Sequence, residues 1–163
     1  MYKVKCSRCF YHFIVNKGHG FDDCEFFEEN PDTGKPYYYG YIDNKSIIDD
    51  VDNILEIWES VVENEEAYSK NNGWHGHGSA QYLCPKCGRL HNKFYFSLIG
   101  SGGTYEPVYQ CKKCKSELIL VDLFHGEYNV VNVKTGQEVK WRCPICRSRK
   151  LVDKSERWAL YYD

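Results

Sequence analysis

The stretch Tyr82-Leu83-Cys84-Pro85-Lys86-Cys87-Gly88 is answered, after 23 residues between Cys87 and Cys111, by Cys111-Lys112-Lys113-Cys114. Two intervening residues let a tight turn aim both sulfurs of a pair at one ion, while backbone N–H groups point at those sulfurs. The same spacing recurs at Cys6/Cys9 and Cys143/Cys146, so eight of the nine cysteines form four Cys-x-x-Cys pairs. Two pairs complete a tetrahedral four-thiolate shell, and closed S4 coordination favours zinc, with iron as its usual competitor. The expectation is two Zn2+ per chain, held by Cys6, Cys9, Cys84, Cys87, Cys111, Cys114, Cys143 and Cys146. A redox reading needs a thioredoxin-like βαβ context, which the sequence lacks.

Spacing leaves open which pairs share an ion. Joining the second and third pairs spans those 23 residues and leaves the first and fourth to meet. Joining first with second and third with fourth leaves 74 and 28 residues between partners. The first arrangement is slightly preferred, and a cross-braced one is disfavoured. Cys24 stands alone among Asp22, Asp23 and Glu25, which raise a thiol pKa, so it reads as a small apolar filler and not as a nucleophile.

Around this framework the chain has 163 residues, 42% hydrophobic and 27% charged, which describes a folded protein of one ordinary domain or two very small ones. No stretch approaches the roughly 20 apolar residues of a membrane helix. Met1-Tyr2-Lys3-Val4-Lys5-Cys6 leaves no apolar signal region, so the expectation is a cytoplasmic protein with no membrane partner. The formal charge of −2 hides a division. Residues 22–66 hold fifteen acidic residues against Lys35 and Lys45, net −13, and the remainder is +11. Two zinc ions on eight thiolates contribute −2 per site, lowering the basic part to about +7. Such asymmetry points to a bipolar protein.

Local patterns predict an α+β fold of small antiparallel hairpins and one amphipathic acidic helix packed across them. Residues 2–15 read as strand, knuckle and returning strand. Asn30-Pro31-Asp32-Thr33-Gly34 reads as a turn, and Tyr37-Tyr38-Tyr39-Gly40-Tyr41 as either a short strand or an exposed aromatic patch. The helix is expected at about 47–68, capped by Ser46, with Ile47, Ile48, Val51, Ile54, Leu55, Trp58, Val61 and Val62 as its apolar stripe. Further strands are expected at 94–99, 105–110, 116–123, 128–134 and 137–142, with a hairpin at Lys134–Gln137. The organisation expected is 1–21, a first knuckle with its strand pair; 22–80, an acidic helical insertion ending in a Gly/His linker; and 81–163, a region of three knuckles.

The knuckle, hairpin, knuckle plan of Tyr82–Cys114 resembles the zinc ribbons, and Trp141-Arg142-Cys143-Pro144-Ile145-Cys146 follows it more loosely. The opening segment, running on into Gly18-His19-Gly20-Phe21, is similar to small uncharacterised bacterial proteins with several such knuckles. The resemblance covers the knuckles and nearby strands, leaving out the acidic helix. It implies a fold and a metal, and it leaves the partner open.

Catalytic constellations do not close. His125-Gly126-Glu127 before Cys143 and Cys146 resembles the zinc deaminases, yet Arg142 stands where their proline belongs and another cysteine pair would be stranded. His91-Asn92 lacks the Asp-His partner of a ribbon-containing nuclease. His75 and His77 could share a further metal, although their Gly-rich flanks read as linker. The reading adopted is a non-enzymatic module that binds another protein through its acidic helix and aromatic surface. The alternative is nucleic-acid binding by the basic knuckles, through Lys112, Lys113, Lys115, Arg147, Arg149 and Lys150 with interleaved Phe94, Tyr95, Phe96, Tyr105, Tyr109, Trp141 and Trp158. A metal-dependent enzyme ranks third.

Overall fold

The structure, a computed structural model, describes residues 2–16, 26–64, 77–123 and 130–153. The chain divides into two compact units. The first comprises Met1–Lys17, Gln81–Asn92 and Gln110–Asp163; the second comprises Gly18–Ala80 and Lys93–Tyr109. The units therefore group the chain differently from 1–21, 22–80 and 81–163, since 93–109 joins 18–80.

In the first unit, β1 (Tyr2–Cys6) runs antiparallel to β2 (His12–Val15), as the strand–knuckle–strand reading requires. On its other edge β1 pairs with β12 (Leu151–Asp153), setting Cys6 opposite Leu151 and closing the N-terminal strand onto the last one described. A second sheet has the order β11-β10-β6-β7, made of β6 (His77–Leu83), β7 (Leu90–Phe96), β10 (Ile119–Leu123) and β11 (Val130–Asn132); of β6 and β7, the residues from 81 to 92 belong to this unit and the others to the second. Alternation does the sorting in β1 and β2. Val4, Cys6 and Val15 point inward, while Lys3, His12 and Ile14 point out. The inward set joins Leu83, Leu90, Val121, Leu123, Val130, Trp141 and Leu151 in one apolar core that also takes in Cys6 and Cys143. The expected strand at 137–142 is shorter than its sequence promised. It is a single bridge, Val131 to Glu138, beside the turn in which the Gly136 N–H donates to Asn132 O at 2.8 Å.

The second unit is aromatic where the first is aliphatic. Phe26, Tyr38, Phe94 and Phe96 pack ring on ring, with Phe26–Tyr38 centroids 5.2 Å apart and Phe26–Phe96 4.9 Å. The turn at 30–34 joins β3 (Glu29–Asn30) to β4 (Lys35–Pro36). The Asp32 N–H donates to Asn30 Oδ1, and Gly34 takes the left-handed φ of +64° that closes it. The tyrosine run is neither strand nor exposed patch. It forms the helical turn α1 (Tyr38–Tyr41), with Tyr38 buried.

The acidic helix is shorter than its apolar stripe implied: α2 spans Lys45–Ile57. Asn44, not Ser46, caps it, its side chain accepting from the Ser46 N–H at 3.1 Å. At the other end the backbone turns extended at Trp58. The Ser101 hydroxyl accepts the Glu59 N–H at 2.9 Å, and Val61–Glu63 becomes β5. There β5 pairs with β8 (Leu98–Gly100), which pairs in turn with β9 (Gly103–Tyr105). Val61 and Val62, β-branched, fit a pleated edge better than another helical turn. Close approach explains two glycines here. A Cβ on Gly100 would strike the Ser60 carbonyl, and one on Gly102 the Trp58 indole. Among the described residues, no helix is long and apolar enough to cross a membrane.

Candidate metal centres

Each Cys-x-x-Cys turn is built the same way. The N–H of its first cysteine donates to the carbonyl five residues on: Cys6 to Tyr11, Cys84 to Arg89, Cys111 to Ser116 and Cys143 to Ser148, all at 2.8–2.9 Å. In three of the four, the residue after the second cysteine is left-handed, Gly88 at φ +76°, Lys115 at +57° and Arg147 at +61°. That conformation returns the N–H of each to the carbonyl of the first cysteine, at 2.9, 2.8 and 3.1 Å. Only Gly88 advertises the geometry, because lysine and arginine adopt it at a cost. Further N–H groups point at sulfur: Arg8 to Cys6 Sγ at 3.4 Å, Ile145 to Cys143 Sγ at 3.4 Å and Cys87 to Cys84 Sγ at 3.5 Å.

The four turns meet as two clusters. Cys6, Cys9, Cys143 and Cys146 form one, and Cys84, Cys87, Cys111 and Cys114 the other, with the sulfurs of each within 4.8 Å of one another. This is the arrangement in which the first and last knuckles meet. Measured separations are 3.5 Å for Cys6–Cys146, 3.5 Å for Cys9–Cys143, 3.3 Å for Cys84–Cys114 and 3.8 Å for Cys87–Cys111. A tetrahedral ion with sulfur ligands at about 2.3 Å sets its sulfurs about 3.8 Å apart, so both clusters are of the right size. All eight cysteines are free of disulfides. The two groups can therefore bind two metal ions.

Electrostatics gives the same answer. Burial pushes the Cys6 thiol up, but the Arg8 N–H and the neighbouring thiols hold it down at about 6. Cys114, beside the Ser116 hydroxyl and Cys84, is also lowered to about 6. Cys87, raised first by burial and then by neighbouring sulfurs, is pushed up to about 12. The Tyr11 N–H favours the Cys9 thiolate, yet burial and the surrounding sulfurs push it up to about 12 as well. Four sulfurs so close cannot all ionise unless a cation sits among them.

The centres are anchored in the core of the first unit. Trp141, which leads into Cys143, donates its indole N–H to the Gly88 carbonyl at 3.0 Å. The Tyr11 hydroxyl accepts the Leu90 N–H at 3.2 Å, and its ring lies 6.1 Å from that of Trp141. Each centre thus holds elements that also support the other.

Other expected site residues fall differently. Lys112, Lys113, Lys115, Arg147, Arg149 and Lys150 lie on or just after the third and fourth knuckles, and all six are exposed. The aromatic residues expected beside them are core instead: Phe94, Tyr95, Phe96, Tyr109 and Trp141 are all buried, and Tyr105 half-buried. The short apolar supply of small β units draws these rings inward. His77 contacts Glu63 through Nδ1, among Phe26, Tyr41 and Phe94, which makes it part of the second unit's packing. Cys24, His75, His125, Glu127, Lys154, Trp158 and the Gly18–Phe21 motif lie outside the described residues. Sequence reasoning passed over Phe10, which follows Cys9 and is 81% exposed.

No protein-family description, curated protein or solved structure matches the chain.

Proposed function

We propose that both clusters hold zinc, that the first unit is a zinc-ribbon-like scaffold, and that the protein works by binding another protein without catalysing a reaction. The observation that carries the first part is the closure of each shell. Four cysteine sulfurs converge at tetrahedral distances with N–H groups aimed at them, so a bound ion has no open position for water or substrate. Such an ion acts through folding energy.

Partner recognition belongs to the acidic second unit, through a surface other than the one its sequence advertised. The carboxylates of α2 are largely engaged within the unit: Asp52 accepts from Tyr38 and Tyr39 at 2.6 Å each, Asp50 from Tyr105 at 3.0 Å, and Asp49 from Lys45 at 2.7 Å. Of the rings, Phe26, Tyr38, Phe94, Tyr95, Phe96 and Tyr109 are interior. Apolar side chains also face outward here. Val62 and Ile99 sit directly opposite each other on β5 and β8, 59% and 44% exposed, and Ile57 at the end of α2 is 70% exposed. Glu56 and Glu59 are exposed nearby in the chain. An exposed apolar pair on a unit of net charge −12 fits a partner with an apolar anchor and basic flanks.

The test uses the zinc-loaded chain as crosslinked bait in its own cells, beside the Val62→Lys/Ile99→Lys double variant. A protein held by the native chain and lost from the variant supports the reading. Identical recoveries contradict it.

A further inference from the structure

We propose that the tips of the first and fourth knuckles, together with the outer face of the β12-β1-β2 sheet, bind single-stranded nucleic acid. Charge comes first. Counted by fold and not by sequence order, the first unit holds 17 Lys and Arg against 7 Asp and Glu, net +10, and the second is −12. The bias sharpens around the Cys6/Cys9/Cys143/Cys146 centre. Residues 2–16 and 143–152 contain six Lys and Arg and no Asp or Glu. A zinc ion on four thiolates subtracts about two charges and still leaves this surface near +4.

Geometry gathers those charges on one side. Convergent sulfurs set the tips of the two knuckles beside each other, and the Ser7 N–H donates to the Lys150 carbonyl at 3.0 Å. Arg8, Arg147, Arg149 and Lys150 are exposed on these loops. Arg147 has a left-handed φ of +61°, and its N–H closes the loop by donating to the Cys143 carbonyl at 3.1 Å. Along the adjoining sheet the outward positions continue the surface, with Lys3 opposite Ile14 and both exposed.

Apolar groups select the partner among polyanions. Phe10 is 81% exposed and Ile145 is 49% exposed, one on each of the two knuckles that form this centre. Exposed phenyl beside arginine is poorly suited to a duplex, whose bases are already stacked, or to an acidic peptide, which offers no flat face. An unpaired base supplies a π-face for Phe10 while its phosphates meet the guanidinium groups. This inference is independent of the protein partner proposed for the second unit, and it differs from a surface centred on Lys112, Lys113 and Lys115, where no comparable exposed aromatic stands among the described residues.

The experiment titrates fluorescein-labelled oligo-dT of twenty nucleotides with zinc-loaded full-length protein across 50–300 mM salt. A 20-base-pair duplex and poly-glutamate serve as competitors. Four to six phosphate contacts predict a log–log salt slope of about −3 to −4. Phe10→Ala, at an exposed position, keeps its zinc and weakens oligo-dT binding about tenfold. Arg149→Ala/Lys150→Ala makes the slope shallower by about 1.4, and Lys112→Ala/Lys113→Ala leaves affinity unchanged. No binding at 50 mM salt overturns the proposal. So does competition by duplex or poly-glutamate as strong as that by unlabelled oligo-dT, a Phe10→Ala variant with native affinity, or a larger loss from the Lys112/Lys113 pair.

Discussion

The two units solve the same problem with different materials. Each is too small to rely on a large core. The first binds its strands with eight cysteines around two centres and fills the remainder with Val, Leu and Trp141. The second has no such cluster among its described residues and relies on stacked rings tied to carboxylates, with Asp52 accepting from two tyrosines and Asp50 from a third. Metal ligation is worth much and is lost all at once when ligands protonate or a chelator competes. Ring packing and buried hydroxyl bonds are individually modest and indifferent to chelators. With both clusters loaded as proposed, one region depends on metal supply and the other on packing.

The largest expected effect tests that contrast directly. Chelation of the full chain, followed by hydrogen exchange, should abolish amide protection in β1, β10 and β12 and leave that of α2 and β8 in place. Structural zinc supplies on the order of 10 kcal/mol or more, so the loss is complete. Simultaneous loss in both regions would merge them into one cooperative body and break the comparison.

The next effect comes from the aromatic side. Phe26, 1% exposed, packs on Tyr38, Phe94 and Phe96, so Phe26→Ala should cost about 3–5 kcal/mol in denaturant unfolding while metal content is unchanged. Asp52→Ala should cost less, about 1–3 kcal/mol, because it strands the hydroxyl of buried Tyr38.

Alkaline pH sharpens the contrast further. Burial and Asp52 raise the pKa of Tyr38, and burial and Asp50 that of Tyr105, above the ordinary tyrosine value of 10.0. A raised pKa means the folded form keeps its proton after the unfolded form has lost it. The stabilisation is thus complete below pH 10 and declines as pH rises beyond it. Melts above pH 10 should show α2 protection falling first. Asp50→Asn should reduce the steepness, by removing the carboxylate that faces Tyr105.

The smallest effect is a gain. Lys115 and Arg147 hold left-handed backbone at φ +57° and +61°, where Gly88 sits at no cost. Lys115→Gly and Arg147→Gly should each stabilise the zinc-loaded protein by up to about 1 kcal/mol in thermal unfolding. Gly88→Ala should do the opposite, because its Cβ would overlap the Arg142 carbonyl.

Much of the first unit was legible in its sequence, because a Cys-x-x-Cys pair specifies a local turn whatever surrounds it. The pairing of first with fourth and second with third was only a preference, since loop lengths discriminate weakly between closures. The second unit was harder to read. Val61 and Val62 continue the apolar period of α2, and only the Ser101 hydroxyl and the edge of β8, both distant in sequence, show that they leave the helix. Ring residues at 94–96 look alike whether they face a base or a core, and burial decided for the core. Phe10 gave no periodic signal at all. It stands out only when its exposure is measured.

As proposed, eight cysteines close two separate zinc shells. Native mass spectrometry of protein purified without added metal tests it most directly. The native chain should carry two zinc ions, and Cys6→Ser/Cys9→Ser and Cys84→Ser/Cys87→Ser should each carry one. A single ion, iron or a third zinc in the native chain, or two zinc ions retained by either double variant, would contradict it.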